Sequence, residues 1–162
     1  MASNKSALTD SFWAGFTTAT GVRATDYTVV TFGDSVDMAD EFLELVLLGE
    51  KRATASLLRD YAAEEALVPK PGDFVVVLDS SGRPKCIWHT TEVVVKPLKD
   101  VDEAFAQDEG EGDRSRDGWL SAHRSYFTAQ AQREDFKMSD TIETVFERFE
   151  IVWPMKVADQ TS

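Results

Sequence analysis

The apolar positions along this chain change period, and each change marks an element. In "TDSFWAGFTTATG", Phe12, Trp13 and Phe16 recur at helical spacing, with Thr9 or Asp10 placed to cap the start and Gly21 to end it. "YTVVTFG", from Tyr27 to Gly33, is β-branched and aromatic and predicts a strand. "DSVDMADEFLELVLLGE" returns to helical spacing. Ser35 or Asp37 caps it, Met38, Phe42, Leu45, Val46 and Leu48 form its stripe, and Gly49 stops it. "KRATASL" alternates small, hydroxyl and charged residues and is expected to be extended; "LRDYAAEEAL" predicts a short third helix.

After the two-proline turn "VPKPGD", "DFVVVLDSSGRPKCIWHTTEVVV" predicts a hairpin, with Phe74 to Leu78 paired to Lys85 to Val95. "DVDEAFAQD" makes a helical turn, "EGEGDRS" an acidic glycine-rich loop, and "RSRDGWLSAHRSYFTAQAQ" a longer helix despite Gly118. "TIETVFERFEIVWP" is a final strand with Val145, Phe149 and Ile151 on its apolar face. Helices and hairpins are interspersed without regular βαβ alternation. That predicts an α+β domain with a small, mainly antiparallel or mixed sheet curling toward a barrel. Residues 1–26 are expected to form an N-terminal helical extension, 27–154 the domain, and 155–162 a loose tail.

Composition narrows the partners. Seventeen basic residues against 29 acidic ones give a net charge of −12, with no basic stripe. Lys96 and Lys99 are isolated, and Arg114, Arg116 and Arg124 alternate with acids. Long DNA or RNA, a polyanion, is therefore not the expected partner, whereas a single nucleoside, nucleotide or short RNA in a local pocket is compatible. No apolar run approaches the ~20 residues needed to span a bilayer, and the start lacks the pattern of a signal peptide. With Cys86 the only cysteine, no intrachain disulfide can form. A cytoplasmic location is the resulting expectation; nothing bears on oligomeric state.

Three segments carry candidate chemistry. Lys51, Arg52, Thr54 and Ser56 fall together after an acidic helix, as anion- or carbonyl-binding groups, or simply as positive charge complementing a helix end. Such a position predicts that truncating Lys51 costs little core burial. Trp119, His123 and Phe127 fall at i, i+4 and i+8, so His123 belongs to an aromatic stripe, either as a core histidine or facing a pocket. "DEGEGDRS" lacks calcium-loop spacing, and two histidines supply a zinc site poorly, so no metal or other cofactor is expected. Its use would be to aim Glu109 or Glu111 at a pocket, with Asp113 capping the next helix. Cys86 and His89 point to opposite faces of one strand, so they make no thiol–imidazole pair; Cys86 shares a face with Trp88.

"GEKRAT", with Gly-x-Lys-x-x-Thr spacing after a helix, resembles the signature of the ASCH (activating signal cointegrator homology) domain. "GEKRATASL", "EGEGDRS" with Trp119 and His123 downstream, and "ERFEIV" resemble a bacterial stand-alone subfamily, over about Phe32 to Pro154. The resemblance implies a PUA-like β-barrel with surrounding helices and a cleft between them. The family was proposed to bind RNA. A small relative is an amidohydrolase that removes the acetyl group of N4-acetylcytidine with Lys, Thr and Glu, and another member is a metal-dependent ribonuclease. Carried over, the trio is Lys51, Thr54 and Glu111, with Glu109 in reserve because the loop here is longer. Lys51 would deprotonate Thr54 for attack on an amide carbonyl, Arg52 or backbone N–H groups would steady the oxyanion, and Glu111 would orient Lys51 or shuttle the proton. Trp119 or Tyr61 would stack on a pyrimidine, and Arg114 would contact ribose or phosphate. In the competing reading, a binding module, Lys51, Thr54 and Ser56 only hydrogen-bond a nucleotide; that reading leaves Lys51 solvated and far from Glu111.

Overall fold

The computed structural model describes residues 5–159. Residues 1–4 of the expected extension and 160–162 of the expected tail lie outside them. The elements are α1 (Ala7–Thr20), β1 (Thr28–Thr31), α2 (Val36–Leu47), β2 (Ala53–Leu57), α3 (Leu58–Ala63), β3 (Phe74–Leu78), β4 (Pro84–Pro97), α4 (Glu103–Glu109), α5 (Arg116–Glu134) and β5 (Glu143–Trp153). A 3₁₀ turn, Leu98–Asp100, follows β4. The sheet runs in the order β1-β3-β4-β5-β2, with β1 parallel to β3 and the β3–β4 and β2–β5 pairs antiparallel. It is the mixed, half-barrel sheet of an α+β protein, as the hairpin-rich order leads one to expect. The described residues form two compact units, one of 5–50, 70–91 and 149–159, the other of 51–69 and 92–148. Both β4 and β5 contribute residues to each.

In the first unit the run "FVVVL" is buried on both faces. Val75 and Val77 join Leu43 and Val46 of α2 with Cys86, Trp88, Phe149 and Ile151. Val76 and Leu78 join Trp13 and Phe16 of α1 with Tyr27, Val29 and Ile87. Coverage on both sides explains why the strand reads as continuous, not alternating, hydrophobicity. Cys86 and Trp88 share one face, while His89 stacks on Phe74 and pairs with Glu150.

Two boundaries differ from expectation. The cap of α1 is Ser6, three residues earlier than Thr9, because Ser6 and Thr9 satisfy each other's backbone N–H in a capping box. On α2 the buried line is Ala39, Leu43 and Val46, with Leu48 exposed; the helix is apolar on too many sides for its stripe to be read by period alone. The described part of the tail is fastened: Val157 packs beside the α2 cluster, and Ile151 N donates to Asp159 Oδ2 at 3.0 Å.

The second unit has its own core of Ala53, Leu57, Leu98, Val101, Phe105, Trp119, Leu120, Phe127 and Phe146. The start of α5 is fixed from three directions. Ser115 Oγ accepts from Gly118 N, Asp113 Oδ1 accepts from Ser115 N and Oγ, and the Arg116 guanidinium donates to the Val101 carbonyl at 2.7 Å. Asp113 thus supports the cap and Ser115 is the cap itself.

Gly118 makes room for this arrangement: a Cβ there would overlap Asp113 Oδ1 and lie 3.0 Å from Ser115 Oγ. Glycine to alanine inside a helix ordinarily stabilises by about 1 kcal/mol. Here Gly118→Ala is expected to reverse that sign and lower stability by about 1 kcal/mol, since the cap bonds must break. Urea unfolding of the two proteins checks it; a more stable variant would show the cap to be dispensable.

Candidate active site

Lys51 is the residue around which the polar groups of the second unit gather. It sits between α2 and β2, where Arg52 N donates to the Asp108 carbonyl at 2.6 Å and fixes the start of β2 against the end of α4. Lys51 is 1% exposed. Burying an ammonium costs several kcal/mol unless it is paired and its protons are all placed. Nζ donates to the Ala53 carbonyl at 2.9 Å and to Glu111 Oε2 at 2.5 Å, with the Glu109 carbonyl at 3.4 Å and Glu109 Oε1 at 3.7 Å. The expected low burial of Lys51 is thereby overturned: its stem and its charge are both enclosed, so truncation to alanine would leave two carboxylates uncompensated.

The glycine-rich loop supplies both carboxylates. Glu109 ends α4, and Gly110 and Gly112 adopt left-handed φ values of 73° and 61°. Side chains rarely accept those angles, and the resulting turns keep Glu111 close to Glu109 instead of continuing the helix away from Lys51. Glu111 is partly open to solvent, whereas Glu109 is buried. Glu109 Oε2 accepts from Trp119 Nε1 and lies 3.3 Å from His123 Nε2. Burial raises the Glu109 carboxyl above its ordinary value of 4.5, and the charge of Glu111 adds to this against the opposing pull of Lys51, His123 and the indole N–H. The His123 ring stacks on Trp119 at 3.7 Å, and its Nδ1 is 2.8 Å from the Trp119 carbonyl.

The other expected residues are placed differently. Ala53 and Ala55 pack toward the α4–α5 core, so alternation turns Thr54 and Ser56 to the opposite face of β2. Thr54 stands opposite Glu147 in register and is half-buried; among the described residues no side-chain hydrogen bond engages its hydroxyl. Ser56 Oγ is 2.6 Å from Tyr61 Oη, and burial pushes the Tyr61 phenol up to about 12 against the lowering effect of that bond. Trp119 is enclosed by His123, Phe105 and Phe146. The Arg52 guanidinium donates to the Lys51 carbonyl at 2.8 Å. Arg114 is exposed and donates to the Gln107 carbonyl, closing α4 beside an open recess of about 320 Å³ that includes none of the Lys51 group.

Glu109, Glu111 and His123 bring donor atoms within 4.8 Å of one another, the density of a cation site. The donor set does not fit a metal well. The Lys51 ammonium already lies against both carboxylates, so a divalent ion would have to displace it or share their charge with it.

The family model for the ASCH domain matches residues 28–153, and the chain belongs to that family, whose fold is PUA-like. A crystal structure of protein EF3133 from Enterococcus faecalis V583 is 32% identical, covers 88% of this chain and 86% of its own, and has a TM-score of 0.80. An ASCH domain from Lactobacillus crispatus JV V101 is 31% identical over 88% of this chain and 92% of its own, with a TM-score of 0.78. No curated protein matches the chain. No described helix is long and apolar enough to cross a membrane.

Glu109 makes a pH prediction. Its folded-state pKa lies above the unfolded value, so its contribution to stability is complete below about 4.5 and is lost as pH rises through the folded value. Glu109→Gln should remove that loss. Relative to wild type, the variant should gain stability between pH 4 and pH 8, by about 1.4 kcal/mol for each unit by which the pKa is raised. Parallel pH dependences in urea unfolding would refute the assignment.

Proposed function

We propose that this protein is an amidohydrolase acting on an N4-acylated cytidine-type nucleoside. The observation that carries the reading is Lys51: a nearly inaccessible amine 2.5 Å from a partly solvent-open carboxylate, instead of the solvated lysine a simple binding surface would use. In the pair, one proton moving from Nζ to Glu111 Oε2 converts two charges into a neutral amine and a carboxylic acid. Because β2 turns Thr54 to the face opposite Ala53, the amine accepts the Thr54 Oγ proton through an intervening water as that oxygen attacks the acyl carbonyl. The C–N bond breaks, the cytosine amine takes a proton from Lys51 or Glu111, and water hydrolyses the Thr54 ester.

Thr54 is suited to this role by its half-buried, unengaged hydroxyl, and Tyr61 is the aromatic candidate for packing on the pyrimidine, given the enclosure of Trp119. The net charge of −12 favours a small neutral substrate over RNA. The metal-dependent ribonuclease reading has Lys51 against it, since the ammonium stands where the carboxylates would hold an ion.

Deacylation of N4-acetylcytidine, followed by chromatography, tests the proposal. Lys51→Met fills the buried space without the amine, and Glu111→Gln removes the proton acceptor. Each is expected to lower turnover by roughly 10²- to 10⁴-fold. Thr54→Ala should match them as the nucleophile; a loss of only several-fold would transfer the attack to water. Absence of any wild-type deacylation across acyl chain lengths would defeat the reading.

A further inference from the structure

Glu109 is the most deeply buried acid of the cluster, and the hydrolytic steps above do not use it. Its two oxygens face different partners: Oε1 lies 3.7 Å from Lys51 Nζ, and Oε2 lies 3.3 Å from His123 Nε2. The orientation of His123 is constrained on the far side. A carbonyl oxygen can only accept, so the 2.8 Å contact of Nδ1 with the Trp119 carbonyl puts a proton on Nδ1 and leaves Nε2 as the nitrogen that gains or loses one. The Trp119 ring holds the imidazole flat at an interplanar angle of 15°. The His123 side chain keeps 13% of its surface, while that of Glu109 keeps 2%, so His123 is the member of this pair that reaches solvent. The charged groups that face Glu109 are Lys51, His123 and Glu111.

We propose that Glu109 and His123 share one exchangeable proton, and that His123, acting through Glu109, is a positioning residue that sets the charge facing Lys51. Its catalytic consequence rests on the hydrolase reading; the shared proton does not. The transfer is balanced within the pair: the proton is bound to Nε2 or to Oε2, and moving it breaks one bond as it makes the other. With the proton on Glu109, Lys51 faces a single anionic carboxylate, Glu111. With the proton on Nε2, or lost to solvent, Glu109 is anionic and Lys51 faces two. The group of Lys51, Glu109, Glu111 and His123 is neutral when the pair holds its proton and carries −1 when it does not. The neutral state is the one burial favours.

The test is carboxyl ¹³C NMR of glutamate-labelled protein without substrate, on wild type and His123→Phe, which keeps a ring against Trp119 and removes both nitrogens. Loss of the imidazole should raise the Glu109 midpoint by at least about one pH unit, and ¹⁵N spectra of wild type should place the proton of neutral His123 on Nδ1. His123→Gln serves in the same way if the phenylalanine variant fails to fold. An unchanged Glu109 midpoint, or a neutral His123 protonated on Nε2, overturns the proposal. With N4-acetylcytidine as substrate, the pH profile of turnover should move with the Glu109 midpoint. An active enzyme whose profile stays fixed would refute the control of Lys51. A coupled titration in a protein that hydrolyses no acylated cytidine would leave the shared proton standing and remove the hydrolase reading instead.

Discussion

The second unit is organised by the need to bury one ammonium group. Placing the Lys51 charge out of water is affordable only where oxygen atoms surround it. Those atoms come from three stretches of chain: the Ala53 carbonyl at the start of β2, the Glu109 carbonyl at the end of α4, and the Glu111 carboxylate in the loop beyond. Each must therefore be held in place, and much of the local structure does so. Arg52 N ties β2 to Asp108, Arg114 donates to the Gln107 carbonyl of α4, and the Arg148 guanidinium joins Asp108 and Glu92. The indole of Trp119 then fixes the buried Glu109 carboxylate.

The same requirement explains why "EGEGDRS" is glycine-rich. A helix continued through this segment would turn Glu109 and Glu111 about 200° apart, at 100° per residue. Left-handed turns at Gly110 and Gly112 bring both side chains to one ammonium. Arg114 also adopts a positive φ, of 63°, and its hydrogen bonds to the Gln107 carbonyl offset that strain. The Ser115 cap then restarts the helix with Trp119 and His123 one and two turns in, on the side that meets Glu109. The loop is thus a device for making two acids converge, although its composition alone suggests a solvated acidic surface.

Much of this was legible in the sequence, and the illegible parts share a cause. Helical period exposed the Trp119, His123 and Phe127 stripe because each lies one turn from the next on a helix with a polar opposite face. "FVVVL" announced a strand by its β-branched residues, and Lys51 and Glu111 were singled out together by their motif and loop. The relation of Glu109 to Trp119 and His123 was not visible, because it joins positions across a loop whose left-handed turns obey no period. Burial of Lys51 was also hidden: a lysine after a helix end reads as solvated unless the carboxylates that cover it are already known to converge. The Ser6 cap was missed for a smaller reason of the same kind, since Ser6 and Thr9 both qualify by type and only their reciprocal bonds decide between them.

Charge on the whole chain and charge in the cluster point in different directions, and the difference bears on what the site can accept. The protein carries −12, yet Lys51, Glu109, Glu111 and His123 sum to zero once Glu109 and His123 hold a single proton. A polyanion approaching such a surface meets repulsion that the buried Lys51 cannot relieve, because its three protons are already directed at protein oxygens. An uncharged planar amide meets no such barrier. What it would require is a proton that can be moved over a short distance, and the 2.5 Å contact between Lys51 and Glu111 offers such a distance between an amine and a carboxylate. On the proposed reading, the acidity of the surface and the neutrality of the cluster are two parts of one selectivity: the first turns nucleic acid away, and the second lets a neutral nucleoside enter without disturbing the charge balance that keeps Lys51 buried.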